Sequence, residues 1–288
     1  MEQAIQKAAA LVEAHRFIRR FHGRTVVVKI GGSIMDDPET LASLIQDVCF
    51  MDAVGMRPVL VHGGGKGITE AMQKAGLEAR FVQGRRYTDE RTLAIAEHVL
   101  VQINQAIVEQ INQLDHRAMG LHSLSSCVVF AQKLFLSDDD RKIDIGDVGQ
   151  VEWVNSELLR ALLAGGTIPV IAPIARDRMG GKLNVNADSV AGQVAGALKA
   201  EKLVVVSDTH GIRTGPDEDS LAHHLTKAQI EHFVEDGTIN SGMLPKVEAS
   251  LSALEAGVVK THIIDGRIPH SLMLEIYTDQ GVGTEIVL

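Results

Sequence analysis

Short apolar runs alternate along this chain with longer amphipathic stretches. The apolar runs are rich in β-branched residues and lie at positions 26–30, 58–62, 167–171, 203–208 and 260–265. Runs of this kind predict strands that are buried on both faces of a sheet. The stretches between them carry apolar residues at helical spacing. This alternation predicts an α/β fold, a three-layer αβα sandwich around a mostly parallel central sheet.

The same pattern predicts the remaining elements. Helices are expected at 1–22, 38–55, 67–74, 89–111, 156–163, directly after 188, at 242–257 and at 271–277, with Thr88 or Asp89 as the N-cap of the long helix. Further strands are expected at 118–121, 127–134, 149–154 and 284–288, and a short hairpin within 80–92. The acidic segment 137–144 is expected to be a surface loop.

Two of the predicted strands run directly into glycines. VVVKIGGS begins at Val26 and PVLVHGGGK begins at Pro58. Glycine exposes backbone N–H groups and the following helix start adds partial positive charge, so both junctions suit anionic oxygens. Lys29 adds a full charge, and Asp208 and the loop before Lys246 are expected at the same carboxyl edge of the sheet. We expect this edge to hold a phosphoryl group in transit between two anions.

Composition and charge narrow the function further. The chain has 288 residues, of which 45% are hydrophobic and 23% charged, and a net charge of -9, which argues against a nucleic-acid partner. No apolar run reaches the roughly 18 residues of a membrane span, and Glu2, Gln3 and Gln6 do not form the basic start of a secretory signal. Cys49 and Cys127 are expected to be free thiols rather than a disulfide. We therefore expect a cytoplasmic protein.

The glycine-rich signatures of common nucleotide sites are absent. GGGK at Gly63 is followed by Gly67 and Ile68, so the usual phosphate-loop pattern fails, and GxGxxG is missing. His62 lies at a predicted strand end, where a structural role is favoured over acid-base catalysis.

A set of ordered motifs resembles the amino acid kinase family, and within it the branch that phosphorylates N-acetyl-L-glutamate. The matching stretches are VVVKIGGS, VLVHGGGKGI, FVQGRRYTDERT, INQAIVEQIN, IPVIAPI, NVNADSVAG, AEKLVVVSDTHGI, SGMLPKV and HIIDGRIPHSLMLEIYTDQGVGT. The resemblance covers nearly the whole chain and implies the carbamate kinase-like fold. It also implies transfer of phosphate from ATP to the side-chain carboxylate of N-acetyl-L-glutamate in arginine biosynthesis, with Mg²⁺ held mainly by phosphates and water.

The resemblance also implies roles for individual residues. Lys29 and Lys246 would stabilise charge on the transferred group, and Asp188 would orient them, besides acting as a carboxylate at a helix start. Gly64, Gly65, Arg86 and Asn184 would bind the acyl substrate. The nucleotide would contact Gly31, Gly32, Asp208, Thr209, Gly211, Ile212, Ser241, Gly242 and Met243.

The two ends of the chain resemble the arginine-inhibited, hexameric branch, a trimer of dimers. This likeness implies an arginine site lined by Phe17, Lys202, His270, Glu275, Gly281 and Gly283. Residues 1–22 would then form an inter-subunit helix, although packing on its own domain remains an alternative. Residues 23–175 would form an acyl-amino-acid-binding, dimerising lobe and 176–288 a nucleotide-binding lobe. A nitrogen-signalling protein is a further expected partner.

Four positions depart from the family pattern, and two other functions stay open. Lys66, Tyr87, Ser241 and Glu285 replace the usual residues, which makes the substrate less certain than the reaction type. The alternatives are a kinase for another N-acylated acid such as N-acetyl-aminoadipate, or a non-catalytic arginine sensor on the same fold.

Overall fold

The computed structural model describes residues 1–138, 141–215, 217, 220–239, 242–279 and 281–288. Its helices are α1 Glu2–Phe21, α2 Pro38–Ala53, α3 Gly65–Lys74, α4 Glu90–Gln113, α5 Ser156–Ala164, α6 Ala187–Leu198, α7 Lys227–Glu235, α8 Leu244–Glu255 and α9 Ser271–Tyr277, with a 3-10 helix at Gly32–Asp36. Its strands are β1 Thr25–Ile30, β2 Arg57–His62, β3 Phe81–Val82, β4 Arg85–Arg86, β5 Ala118–Leu121, β6 Val129–Asp138, β7 Arg141–Val154, β8 Ile168–Ile171, β9 Ile174–Arg176, β10 Lys182–Asn184, β11 Lys202–Ser207, β12 His224–Thr226, β13 Lys260–Asp265 and β14 Thr284–Val287. The predicted helices and buried strands are confirmed, whereas β9, β10, β12 and α7 lie where no element is predicted.

The buried strands form one sheet with β1 near its middle. The order is β12-β14-β13-β11-β1-β2-β8-β5. β1 pairs in parallel with β2 and with β11, and the other neighbours are also parallel except for β13 and β14. The predicted mostly parallel sheet is confirmed, and its central strands end on the same edge.

Both faces of the sheet are covered, which confirms the three layers. Val27 and Val205 face a core that includes Val194 of α6 and Leu254 of α8. Their neighbours in the sequence point the opposite way, because side chains alternate along a strand. On that second face Val28 packs in a core formed with α2, α4 and α9, whose contributing side chains include Leu44, Ile45, Ile107, Ile111, Leu272 and Ile276.

The prediction of a surface loop at 137–144 is wrong for the positions that the structure describes. β6 and β7 form a long hairpin in which Ser137 pairs with Lys142 and Phe135 with Asp144. Leu136, Ile145 and Val148 are buried in a small core of their own, so the hairpin has an apolar face despite its acidic composition. Asp139 and Asp140 lie outside the described residues. These strands join β9 and β10 in a small closed sheet.

Helix α1 is buried at one end only. Phe21 is 3% exposed and packs in the core, with Phe17 and Ile18 against it. Further towards the N-terminus Ile5, Leu11 and Val12 are 61%, 66% and 75% exposed. Within the described residues, no helix is both long enough and apolar enough to span a lipid bilayer.

Candidate active site

The carboxyl ends of β1 and β2 open into a cavity of about 250 Å³. Its lining includes Lys29, Gly32, Gly64, Gly65, Arg86, Asn184 and Asp188. These residues come from segments far apart in the sequence, and the parallel sheet brings the segments to one edge. The cavity therefore gathers two of the residues predicted for charge stabilisation, Lys29 and Asp188, with those predicted for acyl-substrate binding, and it includes Gly32, which was predicted for the nucleotide.

The two glycine junctions are packed against each other through their backbones. A Cβ atom on Gly32 would lie 3.3 Å from the nitrogen of Gly65, and one on Gly64 would lie 2.7 Å from Leu100 Cδ2. A Cβ on Gly65 would meet nothing within 4 Å. Close backbone approach explains Gly32, and the side chain of Leu100 fills the space beside Gly64, while Gly65, at the first turn of α3, faces open space where a ligand can reach its N–H group.

Lys29 and Asp188 form an ion pair beside the cavity. Lys29 Nζ lies 2.8 Å from Asp188 Oδ1, and both side chains are at least nine-tenths buried. Asp188 is held by the start of α6, where Asn186 caps the helix by accepting from the backbone N–H groups of Asp188 and Ser189. The ion pair holds the ammonium group of Lys29 at a fixed position beside the cavity.

Lys246 belongs to the same electrostatic group. Burial lowers its pKa and the Lys29 charge adds to the lowering, while Asp188 and Asp208 raise it. Lys246 Nζ donates to the carbonyl of Gly242 at 3.0 Å. Lys29 and Lys246, which are far apart in the sequence, thus both interact electrostatically with one carboxylate, Asp188.

Arg86 and Asn184 lie on the acyl side of this group. Arg86 donates to the carbonyl of Gly65 and to Thr69 Oγ1, both at 2.8 Å, and lies over the ring of Phe81. These partners are neutral, and burial lowers the pKa of Arg86. Asn184 donates to Thr88 Oγ1 at 3.1 Å. A buried guanidinium with neutral neighbours is suited to bind a carboxylate of a ligand.

A second cavity of about 560 Å³ lies on the other side of Lys246. Its lining includes the predicted nucleotide residues Asp208, Thr209, Gly211, Ile212, Gly242 and Met243, together with Lys246. Gly31, whose N–H donates to the carbonyl of Val206, is part of the nearby glycine junction. Ser241 lies outside the described residues. Lys29 lines the first cavity and Lys246 the second, and both lysines interact electrostatically with Asp188.

Protein ligands for a metal ion are sparse in these cavities. No group of three or more His, Cys, Asp or Glu residues that could hold a metal occurs in the described part of the chain. Asp208 is the one carboxylate among the described residues that line the larger cavity. This donor set fits Mg²⁺ that keeps most of its contacts to phosphate oxygens and water.

A third cavity, of about 350 Å³, lies beside α1. Phe17, Lys202, Glu275 and Gly281 line it, as the resemblance implies for an arginine site. Gly283 adjoins it by donating its N–H to Glu275 Oε2 at 3.1 Å.

His270 is not among the described residues that line this third cavity. Its Nδ1 instead lies 2.6 Å from Asp47 Oδ1.

Sequence reasoning missed two hydrogen-bonded groups. In the third cavity Lys202 Nζ lies 3.0 Å from His262 Nε2, and His262 Nδ1 lies 2.6 Å from Glu275 Oε1. Beside the second cavity, the buried carboxylate of Asp265 binds both Arg267 and His210. His262, Asp265 and Arg267 all belong to HIIDGR, so the motif drew attention to the segment but not to these contacts.

His62 has a structural environment. Its Nδ1 donates to the carbonyl of Gly63 at 2.9 Å, and its Nε2 accepts from Asn104 Nδ2 at 3.0 Å. The side chain is fully buried, and burial lowers its pKa to about 4. The residue is therefore a neutral anchor for the glycine junction.

Comparison with known proteins agrees with this site. The model of the amino acid kinase family matches residues 24–265. Acetylglutamate kinase of Halothermothrix orenii is 44% identical over 289 residues, covering 100% of this chain and 99% of that protein. Acetylglutamate kinase of Methanocaldococcus jannaschii is also 44% identical, covering 99% of this chain and 98% of that protein.

Solved structures share the fold. N-acetylglutamate synthase from Neisseria gonorrhoeae, complexed with coenzyme A and N-acetyl-glutamate, has a TM-score of 0.88 and 26% identity over 98% of this chain, which spans 63% of the synthase. Carbamate kinase from Giardia lamblia has a TM-score of 0.66 at 15% identity, covering 92% of this chain and 98% of that enzyme, and shows the likeness of fold alone. With the family model matched over most of its length, the chain belongs to the amino acid kinase family.

Proposed function

We propose that this protein transfers the γ-phosphoryl group of ATP to the side-chain carboxylate of N-acetyl-L-glutamate, a step of arginine biosynthesis. The observation that carries the proposal is the interaction of one carboxylate, Asp188, with Lys29 of the smaller cavity and with Lys246 of the larger one. The full-length likeness to proteins named acetylglutamate kinase favours this substrate over N-acetyl-aminoadipate, and favours an enzyme over a sensor.

The reaction needs charge neutralisation more than acid-base chemistry. A side-chain carboxylate is already ionised at neutral pH, so its oxygen can attack the γ-phosphorus directly as the bond to the β-phosphate oxygen breaks and ADP leaves. Lys29 and Lys246 neutralise the oxygens of the group in transit, and Asp188 fixes both ammonium groups. The main contribution of the site is to hold the acceptor carboxylate and the nucleotide phosphates in line for transfer.

Substrate selection is assigned to the smaller cavity. Arg86 pairs with the α-carboxylate of the amino acid, since its present partners are neutral. The N–H groups of Gly64 and Gly65 bind the reacting carboxylate, and Asn184 bonds the acetamido group. Asp208, together with water and the nucleotide phosphates, would hold Mg²⁺, which would supply further charge neutralisation.

The roles of the two lobes and the cellular location of the protein are part of the same proposal. Residues 23–175 contribute most of the acyl cavity and 176–288 contribute the nucleotide cavity, with Asn184 and Asp188 extending from the second lobe into the first site. A cytoplasmic location is supported by the free thiols of Cys49 and Cys127.

We also infer feedback regulation by L-arginine at the third cavity. Its lining mixes cationic groups such as Lys202 with carboxylates such as Glu275, which suits a charged amino acid. N-acetylglutamate synthase from Neisseria gonorrhoeae has a structure complexed with L-arginine, with a TM-score of 0.83 and 25% identity over 97% of this chain and 65% of that one. Assembly into dimers and hexamers, and docking of a nitrogen-signalling protein, belong to the same proposal.

The experiment is an ADP-release assay with N-acetylglutamate, N-acetylaspartate and N-acetyl-aminoadipate as acceptors. We expect N-acetylglutamate to give the highest kcat/KM, and Lys246→Gln to lower kcat by about 100-fold or more. Lys133→Gln is the matched control, because Lys133 pairs with Asp144 and is not among the described residues that line either cavity. A preference for either other acid, or an active Lys246→Gln protein, contradicts the proposal.

A further inference from the structure

The larger cavity is lined by more positively charged side chains than the catalytic Lys246 alone. Lys246, Arg213 and Arg267 line it, against the single described carboxylate of Asp208. An excess of cations in a cavity favours an anionic ligand of more than one charge. The question is which of these cations is held in place for that purpose.

Arg267 is the cation whose position is fixed. Its backbone N–H and Nε donate to Asp265 Oδ1, both at 2.9 Å, and its Nη2 donates to Oδ2 at 2.7 Å. The carboxylate of Asp265 is 1% exposed, whereas the Arg267 side chain is 55% exposed. One edge of the guanidinium is thus bound to the protein, while Nη1 takes part in none of these bonds and the side chain lines the cavity.

The fold places this pair at the catalytic edge of the sheet. Asp265 ends β13, in register with Ser207 at the end of β11, and the N–H of Gly266 donates to the carbonyl of Ser207. His210 Nδ1 lies 3.0 Å from Asp265 Oδ2, so the same buried carboxylate also fixes a ring on the cavity wall. Asp265 therefore organises two cavity-lining side chains from different loops.

We propose that Arg267, oriented by Asp265, binds the phosphates of the nucleotide that remain on ADP. The inference rests on the proposed function for its ligand. Lys246 interacts with Asp188, Lys29 and Asp208, whereas Arg267 interacts with Asp265 and Asp208. Arg267 follows β13, which is two strands from β1 and Lys29 in the sheet, and it is not among the described residues that line the smaller cavity, so it lies away from the point of phosphoryl transfer. A contact there is made equally before and after transfer, and such uniform binding changes affinity rather than kcat.

The competing explanation is that Arg267 only neutralises the buried Asp265. Charge neutralisation alone predicts that removing both charges restores the protein fully. Nucleotide binding predicts that the double variant folds but has lost affinity for ADP. The two explanations are therefore separable by Asp265→Asn/Arg267→Gln measured beside Arg267→Lys.

The experiment measures the Kd of ADP by titration calorimetry, with kcat and both KM values from the ADP-release assay. We expect Arg267→Lys and the double variant to raise the Kd of ADP and the KM of ATP by about 10-fold or more, with kcat and the KM of N-acetylglutamate within about threefold of the parent. Arg178→Gln is the control, because Arg178 pairs with Glu152 on the surface. Thermal unfolding without nucleotide checks that each variant is folded.

Two outcomes distinguish this inference from the proposed function. A folded double variant with parental affinity for ADP overturns the role of Arg267, even when the parent phosphorylates N-acetylglutamate. A parent that binds ADP through Arg267 but phosphorylates none of the acids overturns the proposed function and leaves the nucleotide contact in place.

Discussion

His62 shows how a residue beside the catalytic loop can serve structure rather than chemistry. Asn104 is bonded both to its ring and to the carbonyl of Val170, so one buried amide joins β2 to β8. The ring donates to the carbonyl of Gly63, which fixes the entry to the glycine junction. A group so enclosed resists protonation, because the charged form would lose its hydration.

This environment makes stability depend on pH. The unfolded chain protonates His62 near the ordinary histidine pKa of 6.5, but burial in the folded chain lowers this pKa to about 4 and keeps the ring neutral. The stabilisation that results from the neutral ring is fully present above pH 6.5. As the pH falls from 6.5 towards 4, the free energy of unfolding decreases by about 3 kcal/mol in total. Urea unfolding between pH 7.5 and 4.5 measures the loss.

The control for this prediction is a histidine variant on the surface. We expect His62→Gln to have a shallower pH dependence than the parent below pH 6, whatever its stability at neutral pH. His15→Gln removes an exposed imidazole of α1 and is expected to follow the parent curve. Parallel curves for His62→Gln and the parent contradict the assignment.

Among individual residues, those that belong to a sequence motif were predicted, whereas residues that contact each other only in the folded protein were missed. Lys29, Asp188 and Lys246 are found because each follows a strand or starts a helix at the same sheet edge. The contacts Asn104–His62 and Asp265–His210 join separate segments, and neither local spacing nor composition records such a pair. Side-chain partners of this kind depend on the tertiary fold.

Among the elements, the sheet was predictable and the hairpin was not. Strands β1, β2 and β11 are runs of β-branched residues that have few alternatives to a buried strand. β6 and β7 carry charges at half of their described exposed positions, and their buried side chains, among them Leu136 and Ile145, are interrupted by polar ones. Cross-strand pairs such as Lys133–Asp144 help this hairpin to form, and they become visible only once the register is known.

The start of helix α9 contacts α2 through His270, and the sequence motif did not predict this contact. Asp47 of α2 is 2% exposed; burial raises its pKa, while the hydrogen bond from His270 lowers it. The backbone N–H of His270 also donates to Ser43 Oγ at 3.2 Å. Two side chains of α2 thus hold the start of the helix that carries Glu275.

We expect His270→Ala to destabilise the protein by about 1–3 kcal/mol, because it leaves the buried carboxylate of Asp47 without its imidazole partner. Urea unfolding at pH 7 measures the loss, and hydrogen exchange of α9 amides is expected to rise more than that of α6. Lys133→Ala, which breaks an exposed pair, is the control, with an expected change below about 1 kcal/mol. Unchanged stability of His270→Ala would falsify the role of this contact.

For the whole molecule, the exposed half of α1 is the surface that needs a partner. Ile5, Leu11 and Val12 present apolar side chains to solvent, while Phe17 and Phe21 tie the other end of the helix to its own domain. A helix anchored at one end and apolar at the other suits contact with a second copy, as the proposed hexamer requires.

We expect Leu11→Glu/Val12→Glu to reduce the oligomer to dimers, since a buried charge opposes association of apolar helices. Light scattering after size-exclusion chromatography measures the mass of each protein. Glu13→Gln on the same helix is the control and is expected to keep the parent mass. If the double variant and the parent have the same mass, α1 does not mediate assembly.

Arginine binding links this end of the molecule to stability as a whole. A ligand that binds only the folded state adds a free energy of RT ln(1 + [L]/Kd), about 2.7 kcal/mol when its concentration is 100 times Kd. Glu275 is central to the cavity because it accepts from His262 and from the N–H groups of Val282 and Gly283. A guanidinium beside these groups would gain a carboxylate that is already held in place.

We therefore expect L-arginine to raise the unfolding temperature of the parent and to inhibit its kinase reaction, with L-lysine weaker in both assays. Glu275→Gln is expected to abolish the arginine effects while keeping activity without arginine, because Glu275 lies outside both substrate cavities. Glu152→Gln, which alters a carboxylate on the surface, is expected to respond to arginine like the parent. A Glu275→Gln protein that is folded, active and still fully stabilised by arginine would locate the ligand elsewhere, since a bound guanidinium cannot keep its affinity when the carboxylate that pairs with it is neutral.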